Sequence, residues 1–330
     1  MKFTELIFIN LQLFAELNTN VTGDAGLSVE NKTFYDMTLI DEASPNLVHD
    51  QFGQKRPIPK NGGKKIEFRK FASLPKALTA LTEGVTPNGK KLSVTAIEAE
   101  VAQYGDYIVQ SDVLELSSID NTIVEATKIL GRQAGLTLDT ITRNVLQSGT
   151  NVFYCPKADG TEVESRAGLD NTCKLTVDVV NRVAAILRAN NAPKINGDYV
   201  AIIHPYVSYD LRSDPAWVEA HKYATPDNIY EGEIGKIGGV RFVETSEAKV
   251  YDGGVFGCLF LADGAYGITE ITGGGLETII KQKGSAGTAD PLDQRSSIGW
   301  KAIKTAEILV QPYMMRVECK SAFSGDVEAN

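Results

Sequence analysis

Residues 120–149 read DNTIVEATKILGRQAGLTLDTITRNVLQSG. Ile123, Thr127, Leu130, Ala134, Leu138, Ile141 and Val145 recur at spacings of four and three, the period of one apolar helix face. Asp120 is a good N-cap, and Gly149 stands where a helix commonly ends on a left-handed glycine. The spacing predicts one helix over 120–147, about 42 Å long at 1.5 Å per residue. Gly131 and Gly135 inside it each cost about 1 kcal/mol of helix propensity relative to Ala, so each implies a close backbone approach or a kink.

N-terminal to this helix the pattern is extended. Lys64-Lys-Ile-Glu-Phe-Arg-Lys-Phe71 alternates, with Ile66 and Phe68 on one face and Lys65, Glu67 and Arg69 on the other. A second extended run, Leu92 to Gln110, has no consistently apolar face, and the segment between them, Leu74 to Lys91, ends in turn chemistry at Thr86-Pro87-Asn88-Gly89. A two-stranded arm of this kind carries no third layer of its own, and an isolated hairpin is at best marginally stable. Other protein is expected to cover it.

Upstream, residues 18–63 are loosely patterned, with a helix expected around Phe34–Ile40, then Pro45, Pro57, Pro59 and the turn Asn61-Gly62-Gly63. Met1 to Ala15 contains the apolar run Leu6–Ile9, far short of the ~18 residues of a membrane span. Glu5 and the lack of a small-x-small cleavage site argue against a signal peptide, leaving an amphipathic arm that docks on a neighbour or folds back.

C-terminal to the long helix, strand-like and helix-like segments alternate. Thr176 caps a helix carrying Val179, Val180, Val183, Ile186 and Leu187, and the apolar run Tyr199–Ile203 leads into a short helix beginning at His204-Pro205. Further strands are expected at 240–243, 255–262, 266–271 and 298–304, with Glu307–Lys320 closing the chain as an edge or bulged strand because of Pro312. The composite is α+β.

The chain has 330 residues, and 33 Lys and Arg against 42 Asp and Glu leave a net charge of −9. That balance excludes a generally basic nucleic-acid binder. A hydrophobic fraction of 43% with 23% charged residues excludes wholesale disorder. Cys155, Cys173, Cys258 and Cys319 lie too far apart for a disulfide framework or a paired zinc spacing, and read as small buried hydrophobes in a reducing compartment.

No phosphate-binding glycine loop, nucleophile elbow, HExxH or CxxC is present. The densest group of reactive side chains is His204 to Arg212, with His204, Ser208, Asp210 and Arg212. Asp210 and His204 lie six apart on a helix and face differently, so the expected role is a helix cap with an Asp210–Arg212 surface pair rather than catalysis. No catalytic residue, cofactor or metal is expected. Lys55, Arg56, Lys60, Lys64, Lys65, Arg69, Lys70 and Lys76 form the one local excess of positive charge, suited to an acidic patch on a neighbouring copy of this acidic chain.

Four segments carry a further reading: Leu81–Pro87 followed by Gln103-Tyr-Gly105, Arg143–Asn151, His204–Pro215, and Asp290–Lys301. With Gly235–Phe242 they run in order through most of the chain, and the ordered set resembles the tailed-phage major capsid proteins, in particular the family typified by the capsid protein of coliphage N-four. The resemblance implies the phage capsid fold: an N-terminal arm over 1–63, an extended loop over 64–110, a peripheral domain over 111–175 with its spine helix at 120–147, an axial domain over 176–305, and a return to the peripheral domain over 306–330.

The same resemblance implies pentamers and hexamers that close an icosahedral head around double-stranded DNA, held non-specifically. Scaffolding, portal and decoration proteins are the further candidate partners, and no membrane is involved. The protein would be assembled in the bacterial host cytoplasm and end in the virion. Lys64, Lys65, Glu67, Arg69, Glu83, Arg295 and Trp300 are the candidate inter-subunit contacts, the last two because Arg and Trp are common interface anchors, with a core Trp beside a surface Arg as the equal alternative. A nanocompartment shell of the encapsulin kind is the alternative. Some capsids of this fold weld subunits through Lys–Asn bonds; no partner motif for Lys64, Lys65 or Lys70 is recognised here, so none is carried over.

Overall fold

The computed structural model describes residues 48–71, 74–81, 83–86, 88–117, 122–221, 235–285 and 290–330. The expected helix at Phe34–Ile40, the apolar start and the Asp120 cap lie outside them. In chain order the strands are β1 Gln54–Lys55, β2 Lys65–Phe71, β3 Val94–Glu100, β4 Ala102–Ser111, β5 Val152–Tyr154, β6 Tyr199–Ile203, β7 Lys236–Ile237, β8 Val240–Glu244, β9 Val250–Tyr251, β10 Val255–Leu261, β11 Tyr266–Glu270, β12 Glu277–Lys281, β13 Arg295–Ile308 and β14 Met314–Cys319. The helices are α1 Asp112–Ser117, α2 Thr122–Gln147, α3 Val177–Ala189, α4 Pro205–Arg212 and α5 Pro215–His221.

Strands and helices group into three units. β13 is the spine of a five-stranded sheet: β4 pairs antiparallel along one edge, while β12 and β11 share the other. The long helix α2 covers this sheet through Ala126, Leu130, Ala134 and Leu138, which meet Ile298, Trp300 and Ala302. A seven-stranded sheet runs β5-β14-β10-β6-β8-β7 with β9 beside β10. Its central strands β6 and β10 are buried along their whole length, as continuous apolar runs require. The third unit is the hairpin β2–β3, paired only with itself.

Thr176 caps α3 by accepting from the Val179 amide, and Asn191 closes the turn beyond it with φ of 53°. His204 Nδ1 accepts from the Tyr206 amide at 3.2 Å, with Pro205 at the first helical position. All four cysteines are free and buried.

Several expectations need correction. The second extended run is two strands: β3 belongs to the hairpin, whereas β4 pairs with β13 over ten residues, so the segment 64–110 is not one projecting arm. The alternation without an apolar face arose because the run crosses from one sheet to another at Val101.

The end of the chain also differs from the edge strand expected over 307–320. Pro312 sits in a 3-10 turn, Gln311–Tyr313, that separates β13 from β14. β14 then lies between β5 and β10 inside the seven-stranded sheet, not in the sheet covered by α2. β13, in turn, belongs with α2, although the expected boundary at 305 grouped it with the axial segment.

Within α2, Gly131 and Gly135 are both buried and the helix runs through them without a break. Its apolar face holds only as far as Leu138. Beyond it the buried positions are Asp139, Thr142, Arg143, Leu146 and Gln147, while Ile141 and Val145 are half-buried. Nor is Gly149 a left-handed cap. It does not have positive φ, and a Cβ there would lie 3.1 Å from Met314 Cε. The helix end is closed instead by Arg316 Nη1, which donates to the carbonyls of Gln147 and Gly149.

Candidate assembly interface

Among its described residues the hairpin buries two side chains, Phe68 of β2 and Ala99 of β3. Phe68 is the most buried described side chain of β2, and its ring lies over Gly267 on β11, where a Cβ would come 2.8 Å from Phe68 Cζ. The Arg56 guanidinium lies 5.8 Å from the same ring. Beyond this anchor the segment turns apolar and exposed: Leu74, Leu78, Leu81, Val85, Leu92 and Val94 all face solvent, Leu78 at 86% and Leu81 at 76%. Such a concentration on one projecting element marks an interaction surface.

The sequence-derived candidates divide between this hairpin and the five-stranded sheet. Lys65 Nζ lies 3.7 Å from Glu98 and 3.9 Å from Glu100 across the hairpin, and Arg69 Nε donates to Glu67 at 2.9 Å. These pairs are solvent-exposed and contribute little to the single chain. Lys64 is exposed and its carbonyl accepts from the Val101 amide, and Glu83 lies exposed in the turn. Arg295 opens β13 with its backbone amide on Asp290 Oδ2 at 2.8 Å and its guanidinium 3.7 Å from the same oxygen.

Trp300 departs from expectation. It is 3% exposed, packs beneath α2, and donates through Nε1 to Gln133 Oε1 at 3.4 Å. It is a core residue of this chain. Gln133 in turn donates to Asp106 Oδ2 at 2.6 Å, which with the Tyr107 amide holds the Asp106 carboxyl below the usual carboxylate range.

Sequence reasoning missed the other face of this sheet. Tyr107 and Val109 on β4 are exposed beside Gly299 and Ile279, and the glycines leave a shallow cavity of about 270 Å³ lined by Gly105, Tyr107, Ile279, Ser297 and Gly299. Val113 and Leu114 of α1 extend the exposed apolar surface. The alternating register of β4 and β13, Tyr107 opposite Gly299 and Val109 opposite Ser297, was the signal that could have found it.

The His204 constellation is dispersed. Asp210 accepts from Lys174 Nζ at 3.0 Å and from the Ala322 amide at 3.0 Å, and Arg212 reaches Glu244 at 3.6 Å, so the expected Asp210–Arg212 pair does not form. The i,i+2 spacing places the two on different sides of α4. Burial pulls the His204 imidazole below its ordinary pKa. Among the described residues no group of three metal-ligating side chains occurs, and no helix is long and apolar enough to cross a membrane.

This arrangement of a long helix on one sheet, a second sheet with its own flanking helices, and a hairpin is similar to solved phage capsid structures. The cyanophage Pam1 capsid subunit superposes with a TM-score of 0.65 at 15% identity, covering 85% of this chain and 92% of that one. The cyanophage P-SCSP1u capsid gives 0.63 at 13% identity over 84% and 89%, and the capsid of Ralstonia phage GP4 gives 0.62 at 16% over 82% and 87%. Comparison with curated proteins gives no match. The phage capsid protein family model matches residues 47–258, and the chain belongs to that family. It is a phage capsid protein.

Proposed function

We propose that copies of this chain form pentamers and hexamers that close an icosahedral head around double-stranded DNA. In the arrangement proposed, α2 with β4 and β11–β13 is the peripheral domain, the seven-stranded sheet with α3 and α4 is the axial domain, and β2–β3 with its 74–94 tip is the extended loop. The observation that carries the proposal is that tip: six large apolar side chains stand in solvent on a hairpin with no third layer. A neighbouring copy is the cover that homomeric assembly supplies, and the exposed face around Tyr107 and Val109 is a matching apolar surface.

The role is mechanical rather than catalytic, with Lys64, Lys65, Glu67, Arg69, Glu83 and Arg295 exposed where they can set register between copies. Assembly in the host cytoplasm and residence in the virion follow from this reading, with scaffolding, portal and decoration proteins as further partners. Negative-stain electron microscopy after size-exclusion chromatography tests it, on the chain expressed alone and with its neighbouring genes. Closed angular shells are expected; a monomer or dimer under every condition would refute it.

A nanocompartment shell is the second reading, favoured by the encapsulin SrpI of Synechococcus elongatus PCC 7942, which superposes at a TM-score of 0.53 with 10% identity over 84% of this chain and 88% of that one. Protein cargo rather than DNA inside purified particles would select it.

A further inference from the structure

Val48 to Ile58 run from the end of the long helix's polar half to the edge of β11, and the segment is attached by more than strand pairing. Gln54 and Lys55 lie parallel to Gly267 and Ile268, and Ile58 bridges Ile271. Ahead of them, His49 and Asp50 enter the wall between α2 and the sheet. The His49 amide donates to Asp139 Oδ1 at 2.7 Å, and its Nδ1 lies 2.6 Å from Asp139 Oδ2. Both residues are wholly buried. The Tyr266 hydroxyl of β11 donates to the His49 carbonyl.

Asp50 does the same for a cation: it accepts from the Lys304 ammonium of β13 and from Thr142 Oγ1 of α2 at 2.7 Å. Lys304 is 6% exposed, and its remaining contact is the Leu138 carbonyl at 3.0 Å.

At this wall the body therefore buries the Asp139 carboxylate and the Lys304 ammonium, and the arm segment brings a partner for each. A buried charge stripped of its partner is strongly destabilising. With the segment withdrawn, Asp139 loses the His49 amide and ring, and Lys304 loses Asp50 while keeping the Leu138 carbonyl of α2.

We propose that His49 and Asp50 form a latch that couples seating of the arm segment to the packing of α2 on β13. The latch is a property of the single chain. Its consequence for a shell, that a subunit with its arm unseated presents a shifted long helix to its neighbours, rests on the capsid reading.

Trypsin and hydrogen exchange on the full chain test the latch without requiring assembly. Cleavage after Lys55 and Lys60 reports the arm, cleavage after Lys90 in the hairpin is the internal control, and amides 138–147 report the helix. In the His49→Ala, Asp50→Asn double variant, cleavage after Lys55 and Lys60 is expected to rise about tenfold relative to Lys90, with faster exchange in 138–147. In an Asp139→Asn, Lys304→Met background the same two arm substitutions should add little, because the groups they served are gone.

Thr142→Val removes the hydroxyl's short contact to Asp50, along with a longer one to the Leu138 carbonyl, and should move both readouts together by a smaller factor. This milder variant keeps the test decisive if the double variant fails to fold. Faster arm cleavage with unchanged helix exchange, or additive effects of the two pairs, would overturn the latch. Loss of shells with these readouts unmoved would count against the latch and leave the capsid reading intact.

Discussion

Phe68 occupies the space in which residue 267 would carry a side chain: the Cβ of any residue replacing Gly267 would stand 2.8 Å from Phe68 Cζ and 3.3 Å from Leu309 Cδ1. A strand of the hairpin and a strand of the body thus share one packing position. Gly267→Val is expected to expel the ring and free the hairpin. Phe68→Ala should have the same effect from the other side, leaving a void that no neighbouring side chain fills. Both variants should raise hydrogen exchange across β2 and β3 and abolish shells, while exchange in β6 and β10 stays protected. Protection of the hairpin unchanged in both would show that Phe68 does not anchor it.

Glu318 is wholly buried and pairs with two guanidinium groups: Arg166 donates through Nε and Nη2, each at 2.6 Å, and Arg316 Nε lies 3.0 Å away. Arg316 also closes the end of α2, and Arg166 stacks 3.5 Å above the Tyr251 ring centroid. This is the joint between the long helix and the seven-stranded sheet. Arg316→Met is expected to cost about 1–3 kcal/mol, because Glu318 keeps both Arg166 bonds while the carbonyls at the end of α2 lose their donor. Glu318→Gln in the same background should recover part of it. Urea denaturation of the unassembled chain measures both, and purely additive losses would show that the two do not act as a pair.

His204 gives the stability of the seven-stranded sheet a pH dependence of known sign. Burial lowers its folded pKa below the ordinary imidazole value of about 6.5, and its Nδ1 must be unprotonated to accept from the Tyr206 amide. The unfolded chain therefore binds the proton more readily. This contribution is present above about pH 6.5 and is lost as pH falls through the lowered folded value. His204→Asn keeps a capping acceptor but does not titrate. Its urea midpoint should change less than that of the natural chain between pH 7.5 and pH 5, two values chosen to lie about 1 unit or more either side of the ordinary pKa; equal slopes would assign the acid sensitivity elsewhere.

How far the sequence could be read depends on whether one segment serves one partner. The helix carrying Val179, Val180, Val183 and Leu187 packs on a single sheet, so its apolar period and its Thr176 cap were legible. The long helix was legible only to Leu138. Past that point its neighbours are the arm and the joint between sheets, and Asp139, Arg143 and Gln147 are buried by partners 90 to 110 residues away in sequence. Local periodicity carries no trace of such contacts. Trp300 was misplaced for a related reason. Whether a Trp near a loop faces inward depends on what covers the strand, and that cover is a helix some 170 residues earlier in the chain. The exposed hairpin, by contrast, was readable because its own sequence offers nothing to cover it.

The leucines at the hairpin tip separate assembly from folding. Leu78 and Leu81 make no contribution to the core of the single chain, so replacing them with Asp should leave its urea midpoint within about 0.5 kcal/mol of the natural protein. In a shell each would bury a carboxylate against the neighbouring copy, an unpaired charge repeated at every subunit. Leu78→Asp with Leu81→Asp is therefore expected to yield a folded, soluble chain that sediments below the size of any shell, with Leu78→Met and Leu81→Met assembling normally. Shells from the Asp variant at the natural yield would show that the tip stays in solvent after assembly, and the contact between copies would have to be sought at Tyr107, Val109 and Val113 instead.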